Sequence, residues 1–516
     1  MRENIAKWFK ENITDDGKPY LLDKHQAAIV RDHHKNTLVT ARAGSGKTRT
    51  IVAKIAYLLT HEHIPAENII VFAFNRKARA EINERLTKIC YNGEPLFKTP
   101  PSIATTFHAF AYQCLGGKKL VADKLLTEDV QDQILSNLIK QTGITNISEK
   151  QATLKQFIAR AEQKFFINYQ ILDQKIETIT KSNQKSSLTN LNNLFKKYQA
   201  RLESSNKLSF NQIIKLASDK IKNTKTDYEY IFVDEYQDFS LLFLTLIQSL
   251  RTSCPSARLL AVGDDWQAIN RFAGSDVEYF INFNNYFPED CKKLFIPTNY
   301  RSAKKIVKNA NYFMSTSTKD YKGCKAGNKK LKGIINLIDM NVEPIIPIPN
   351  FEKFFPEDLP LNYKRYISKV YHLIVANKDK TIKILHRNNN LSFKGILLDD
   401  FCQKLCSLLA ENQQITPETN ISCSTIHRSK GLEADVVILL EIDAGKFPSK
   451  DKSGGLYDIF GETEKTLFED EARLFYVALT RPKEKLYILS KTVKSSKETR
   501  KYNFLSYLND AWLSFE

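Results

Sequence analysis

Apolar residues fall along this chain in two patterns, short unbroken runs and helical stripes, and the two alternate. Thr37-Leu38-Val39-Thr40-Ala41 reads as a short buried strand, and Ile51, Ile55, Leu58 and Leu59 mark one face of a helix just downstream. A second apolar run, Asn68–Phe74, leads straight into a charged helix over Arg76–Leu86. Tyr230–Val233 and Leu259–Val262 are further runs, each followed by acidic residues. Strands alternating with helices predict a parallel, doubly wound sheet with its ligand at the strand C-termini. Between 88 and 205 the texture changes. Leu126–Gln141, Glu149–Tyr169 and Leu191–Leu202 are amphipathic helical stretches with no buried-strand run among them, and Asn/Ser/Lys-rich Lys181–Asn193 reads as a connector. Ile382–His386, Val436–Glu441 and Leu486–Ser490 predict a second sheet domain. Within it, Pro344, Pro347, Pro349, Pro356 and Pro360 forbid helix over 342–360 and predict an extended, irregular surface segment. No internal sequence repeat is evident.

Length and composition narrow the class. A chain of 516 residues can bury several cores, and 42% apolar with 26% charged residues excludes collagen-like, wholly disordered and mini-protein chains. Lys plus Arg exceed Asp plus Glu by 76 − 58 = 18, a surplus that favours a polyanionic partner such as nucleic acid. The eight cysteines are scattered without a CxxC pair, which suggests reduced structural thiols rather than a zinc or iron–sulfur site. Cys402 and Cys406 are spaced as one helical turn would place them. The opening MRENIAKWFKENITDD is too charged for a signal peptide, and the longest apolar runs, such as 241–247, fall short of a membrane span. The expectation is a soluble, cytoplasmic protein with no membrane partner.

Candidate chemistry appears at the strand ends. Gly44-Ser45-Gly46-Lys47-Thr48, between a predicted strand and a predicted helix, has the form of a phosphate-cradling loop. Its glycines let backbone N–H groups converge on phosphate oxygens, and the helix N-terminus adds a favourable dipole. Lys47 would reach the β- and γ-phosphates of a bound ATP, and the Thr48 hydroxyl would ligate Mg2+. Ala41 stands where the eight-residue pattern usually begins with glycine. The run Ile231-Phe232-Val233-Asp234-Glu235 delivers two adjacent carboxylates, Asp234 suited to the metal and Glu235 to orienting and deprotonating an attacking water. A glutamate at 235 favours hydrolysis over binding alone.

The phosphate loop, Asp234–Asp238 (DEYQD) and seven further segments, in order along the chain, resemble the superfamily 1 helicases of the UvrD/Rep type, with helicase IV the nearest flavour. The further segments are Leu22–Gln26 (LDKHQ), Ala73–Ala78 (AFNRKA) with Ala80-Glu81, Thr106–Ala109 (TFHA), Val262–Ile269 (VGDDWQAI), Asn299–Ser302 (NYRS), Thr425–Glu433 (TIHRSKGLE) and Leu474–Arg481 (LFYVALTR). The resemblance implies an α/β fold of two RecA-like P-loop NTPase lobes, parallel sheets flanked by helices, with a helical insertion in the first lobe. The expected boundaries are 1–87 and 206–278 for the first lobe, 88–205 for a 1B-like helical insertion, and 279–516 for the second lobe. It further implies that Gln26 reads the adenine, Tyr300 stacks on it, and Ala43, Gly44, Ser45, Gly46 and Arg49 lie around the nucleotide. Gln267 would sense the γ-phosphate, Arg301 and Arg481 would reach it across the interlobe cleft, and Glu433 would contact the nucleotide from the second lobe. For DNA, Phe74 and Phe272 match positions on which bases stack, His108 and His427 match positions lining the strand, and Arg76 lies in the same DNA-contacting set.

Departures from the pattern matter as much. Asn270 stands where relatives usually place a stacking tyrosine, and Ser209-Phe210-Asn211 replaces an acidic segment. Only 38 residues separate His386 from Thr425, where UvrD-like relatives carry a large mobile domain, so only a vestigial insertion near 388–422 is expected. Fewer than 30 residues follow Leu486–Ser490, which leaves no room there for a fused nuclease, and Asp320-Tyr321-Lys322 reads as a chance echo of a nuclease signature. The resemblance thus implies a compact ATP- and Mg2+-dependent motor moving 3′ to 5′ on single-stranded or 3′-tailed duplex DNA. The alternative is a DNA-stimulated ATPase subunit that works with a separate nuclease, repair or anti-phage defence partner.

Overall fold

In the computed structural model, which describes residues 4–117, 119, 122–141, 147–166, 168–318, 322–328, 330–391, 396–416, 419–449, 455–492 and 503–515, the chain divides into two compact units. The first comprises Met1–Ala41, Gly46–Ile296 and Ser453–Thr463, and the second Arg42–Ser45, Pro297–Lys452 and Glu464–Glu516.

The first unit is built on six strands: β1 (Asn36–Ala41), β2 (Ile69–Ala73), β3 (Ala104–Thr106), β4 (Tyr230–Val233), β5 (Arg258–Gly263) and β6 (Cys291–Ile296). They pair in the order β6-β1-β5-β4-β2-β3, all parallel. Because strand side chains alternate between faces, each apolar run feeds two cores. Ile70, Phe72, Ile231, Val233, Leu259 and Ala261 pack on one face, against helices Phe107–Cys114, Phe210–Ile221 and Leu241–Ser253. Their neighbours Ile69, Val71, Ala73, Phe232, Leu260 and Val262 pack on the other, against Lys24–Val30, Lys47–Thr60 and Arg76–Thr87. This is the doubly wound α/β arrangement that the sequence predicts.

The helical part holds α1 (Glu128–Lys140), α2 (Ile147–Phe165), α3 (Gln170–Glu177) and α4 (Ser182–Ser204), around a core that includes Leu135, Phe157, Leu172, Phe195 and Tyr198. Three expectations change here. Lys181–Asn193 is no connector: from Ser182 onward it is the first half of α4. Leu188, Leu191, Phe195, Tyr198 and Leu202 recur at helical spacing and are buried, so tertiary burial overrides the weak helix propensity of the Asn and Ser residues. Nor is 88–205 free of strands. Ile89–Tyr91 joins a small antiparallel sheet with Ile13–Asp15, while β3 forms the edge of the main sheet, so the helical part begins after Cys114. The first unit also runs to Ile296 rather than 278, because β6 pairs with β1.

A further piece of the helical core comes from far along the chain. Tyr457 and Phe460 pack with Phe157 and Phe165, and Gln184 Nε2 donates to Gly455 O at 2.6 Å.

In the second unit, β7 (Ile334–Asp339), β8 (Ile382–His386), β9 (Ile421–Thr425), β10 (Ala434–Leu439), β11 (Pro482–Ser490) and β12 (Ser514–Phe515) pair in the order β9-β8-β10-β11-β7-β12, again all parallel. Helices α5 (Leu361–Val375) and α6 (Leu398–Glu411) pack on one face of this sheet. The residues from 388 to 422 supply α6 and then return as β9, a crossover within the sheet. Cys402 and Cys406 both lie on α6, and the eight cysteines are free thiols, with only Cys254 and Cys324 fully buried. The proline-bearing 342–360 holds no α-helix, as expected, but is not wholly superficial: Ile348, Phe355 and Leu359 are buried in the second unit's core. Asp320-Tyr321 lies outside the described residues.

Candidate functional site

All strands of the first sheet are parallel, so the residues that follow them gather on one edge. The phosphate loop follows β1, Asp234-Glu235 follows β4 and Gln267 follows β5, three strands adjacent in the sheet. Phe74 and Arg76 follow β2, and His108 follows β3, on the remaining part of that edge.

The loop is shaped by two left-handed glycines, Gly44 (φ +70°) and Gly46 (φ +83°). A Cβ at Gly46 would lie 3.2 Å from Gln26 Nε2, so Gln26 closes against the loop. Gln26 is itself fixed by a reciprocal helix cap with Asp23, whose Oδ1 accepts from Gln26 N at 2.8 Å while Gln26 Oε1 accepts from Asp23 N at 3.2 Å. Arg49, one turn into the helix, lies 4.0 Å over the Tyr20 ring and pairs with Asp15 at 3.1 Å. Thr48 occupies the same first helical turn.

Lys47 Nζ stands 3.2 Å from Glu235 Oε2, with the lysine side chain 12% exposed. Burial alone would lower the Lys47 ammonium, but Glu235, Asp264 and Asp234 outweigh it and hold it above its ordinary value. Asp234 is buried and accepts from Glu235 N at 2.9 Å. Burial and the adjacent Glu235 push its carboxyl up to about 7, against the pull of Lys47. Asp234 and Glu235 are neighbouring carboxylates that repel each other, and a divalent cation would relieve that repulsion. No cluster of three His, Cys, Asp or Glu among the described residues could hold such an ion. The Asp234 carboxylate and the Thr48 hydroxyl are hard oxygen donors of the kind that would hold magnesium together with a nucleotide's phosphates.

Glu235 is held in a left-handed backbone conformation (φ 53°, ψ 43°), costly for a residue with a Cβ and a common mark of functional sites. Its Oε2 also accepts from Gln237 Nε2 at 2.5 Å. Gln237, fully buried, in turn accepts from Asp264 N at 2.8 Å, and Asp264 Oδ2 accepts from Gln267 Nε2 at 2.6 Å. The structure thus joins Lys47, Glu235 and Gln267, which the sequence singles out, through Gln237 and Asp264, which it does not. The signal was present in the stretches Asp234–Asp238 and Val262–Ile269, but only the fold shows that they meet.

In the second unit, Arg301 Nε lies 2.6 Å from Glu433 Oε2, and Lys483 Nζ 3.2 Å from Glu433 Oε1. Half-burial raises the Glu433 carboxyl, and Arg301 and Lys483 overcome that and hold it below its ordinary range. Arg481 is buried and donates to Val477 O at 2.9 Å and Leu432 O at 3.0 Å. Arg301, Glu433 and Arg481 thus converge on the 432–433 turn. Asn299 Nδ2 donates to Ala43 O at 2.7 Å, and Tyr300 N to Gly44 O at 2.8 Å. The Tyr300 ring is exposed. His427 follows β9, and burial, then Arg387 and Lys430, push its pKa down to about 4, so the ring is neutral at physiological pH.

Among the DNA candidates of the first unit, Phe74 and Arg76 are exposed, and Phe272 stands out on a one-turn 3-10 helix, Arg271–Ala273, with more than half its surface open. His108 is half-buried, and burial lowers its pKa. Its ring lies 5.4 Å edge-on from that of Phe210, which is itself exposed. Phe210, noted in the sequence only for its acidic surroundings being lost, thus adds an exposed aromatic beside a candidate strand contact.

Residues 22–288 match the UvrD/REP helicase N-terminal domain, and residues 362–492 match the UvrD-like helicase C-terminal domain. The chain belongs to the UvrD/REP helicase family. It is 30% identical over 333 residues to a probable DNA helicase II homolog of Mycoplasma capricolum, a match covering 61% of this chain and 44% of that protein. It is 25% identical over 503 residues to a probable DNA helicase of Mycoplasma pneumoniae, covering 92% of this chain and 84% of the relative. DNA helicase IV of Escherichia coli is 26% identical over 516 aligned positions, covering 91% and 68%. The two sheets are therefore the RecA-like lobes of a UvrD/REP protein.

Proposed function

We propose that this chain is an ATP-driven motor that moves 3′ to 5′ along single-stranded DNA and can separate a 3′-tailed duplex. The observation that carries this reading is the hydrogen-bonded chain Lys47–Glu235–Gln237–Asp264–Gln267 on a strand edge that also presents exposed aromatics. Lys47 and the loop N–H groups hold the β- and γ-phosphates. Magnesium, held by Asp234 and Thr48, neutralises phosphate charge when bound. Glu235 takes the proton of a water whose oxygen attacks the γ-phosphorus, while the bond to the ADP oxygen breaks. Gln267 reports the γ-phosphate through Asp264 and Gln237 to Glu235. Arg301 and Arg481 have the charge-spreading role that the family resemblance implies, a role worth about 10³–10⁵ in rate. Phe74, Phe210 and Phe272 offer stacking faces, and Arg76, His108 and His427 line the strand.

Among the described residues between β8 and β9 there is one helix, α6, and the 34 residues from 387 to 420 are far fewer than a regulatory domain would need. That observation favours a second reading, in which a repair, nuclease or defence partner completes duplex separation. A cytoplasmic location fits the absence, among the described residues, of any helix long and apolar enough to cross a membrane.

The deciding experiment measures ATP turnover of the purified chain with and without single-stranded DNA, beside Glu235→Gln. The motor reading expects strong stimulation by DNA and a loss of turnover of about 10²-fold or more in the variant, with ATP binding retained. Turnover indifferent to DNA, or unaffected by Glu235→Gln, would refute it.

A further inference from the structure

The last turn and a half of α2 reaches out in several directions. Arg160 forms a two-bond pair with Glu462, Nε to Oε1 at 2.6 Å and Nη2 to Oε2 at 2.9 Å, and lies 4.0 Å over the Tyr457 ring. Glu162 accepts from Asn211 Nδ2 at 2.8 Å. The next two residues both address the turn that carries Phe272. Gln163 lies against Gly274, so close that a Cβ there would come within 2.2 Å of Gln163 Cδ, and Gly274 is left-handed (φ +92°). Lys164 Nζ pairs with Asp276 Oδ2, both side chains largely enclosed.

The other side of the same turn is tied to the nucleotide end of the unit. Ser275 Oγ donates to Asp238 O at 2.8 Å, and Asp276 N donates to Phe239 O at 2.9 Å. Asp238 is three residues from Glu235. Burial raises the Asp276 carboxyl, but Lys164 outweighs it and holds the group below its ordinary range, so the pair is charged at neutral pH. Phe272 therefore projects from a turn gripped on one flank by the helical insertion and on the other by the Asp234–Asp238 stretch.

We propose that Lys164 and Gln163 are positioning residues for single-stranded DNA: by clamping Gly274 and Asp276 they fix the Phe272 ring as a stacking platform for a nucleobase. This rests on the reading that Phe272 stacks on the strand. An exposed ring on a three-residue turn gains most affinity when it is ordered before the base arrives, because ordering it on binding subtracts from the stacking. With Asn270 in place of the usual aromatic, Phe272 has no stacking ring two residues before it.

The test follows the oligothymidylate concentration that half-saturates ATP turnover, and the turnover at saturation, for wild type, Lys164→Met, Lys164→Arg, Phe272→Ala and the double variant of Lys164→Met with Phe272→Ala. Lys164→Met is expected to raise the half-saturating concentration about tenfold, the factor that about 1.4 kcal/mol of lost stacking gives, with turnover at saturation retained. Lys164→Arg keeps the pair and is expected to match wild type. The double variant is expected to be no worse than Phe272→Ala alone, since the clamp acts through the ring. An unchanged half-saturating concentration in Lys164→Met, beside a raised one in Phe272→Ala, overturns the proposal. So does a full additional factor in the double variant, or a loss of turnover at saturation in Lys164→Met. Wild-type behaviour of Phe272→Ala removes the stacking reading, and the clamp with it.

Discussion

Gln237 shows how much of a site can rest on a residue that touches no ligand. Its amide spans the gap between Glu235 and the backbone of Asp264, and Gly263 makes room for it: a Cβ at 263 would come within 2.5 Å of Gln237 Oε1 and 2.8 Å of Phe280. Gln237→Ala leaves Glu235 without that donor and Asp264 N buried and unpaired, an unmade bond that costs about 1–3 kcal/mol. The expected outcome is turnover at saturating ATP and DNA lowered about tenfold or more, with the KM for ATP within a few-fold of wild type. Gly263→Ala should reproduce the defect by displacing the same amide. Steady-state ATP hydrolysis checks both. Wild-type turnover in Gln237→Ala would show that Glu235 needs no such support.

At the scale of elements, helix α2 carries an unusual internal acid. Glu162 is buried among the helical core and α2's neighbours, and burial, opposed by the Asn211 amide, pushes its pKa up to about 7. A carboxyl raised in the folded state and ordinary in the unfolded one contributes most below about 4.5, and that contribution is lost as pH rises through about 7. Stability against urea should therefore fall across that window by up to ~3 kcal/mol, and Glu162→Gln should abolish the fall and leave the protein more stable at pH 8. Equal pH profiles for the two proteins would contradict the assignment.

Elements also show what sequence patterning reveals and what it hides. β1, β2, β4 and β5 were legible because each is a run of apolar residues buried on both faces, and the phosphate loop because its glycines and Lys47 sit between strand and helix. β6 was not, since Cys-Lys-Lys-Leu-Phe-Ile puts two exposed lysines into an edge strand. The first half of α4 was hidden by its Asn and Ser residues, most of which face outward while Leu188, Leu191 and Asn192 face in. In the site, single residues such as Glu235 could be read off motifs. The link from Gln237 to Asp264 and the clamp of Lys164 on Asp276 join positions 27 and 112 residues apart, and no local pattern encodes such distances.

For the whole molecule, the segment around Tyr457 and Phe460 has a practical result. The chain passes into the first unit a third time there, after its main body has ended at Ile296. A fragment of residues 1–296 would lack both aromatics and the partner of Arg160, leaving Phe157 and Phe165 facing water. Expressed alone, it is expected to show faster amide hydrogen exchange in α2 than the full chain, and adding a peptide of residues 455–463 should restore part of the protection. Exchange in α2 identical to that of the full chain would disprove the dependence. Boundaries drawn where the sheets end would therefore cut through a core, so anyone dividing this protein into pieces for a split reporter, a truncation series or a circular permutant should keep 455–463 with the front half.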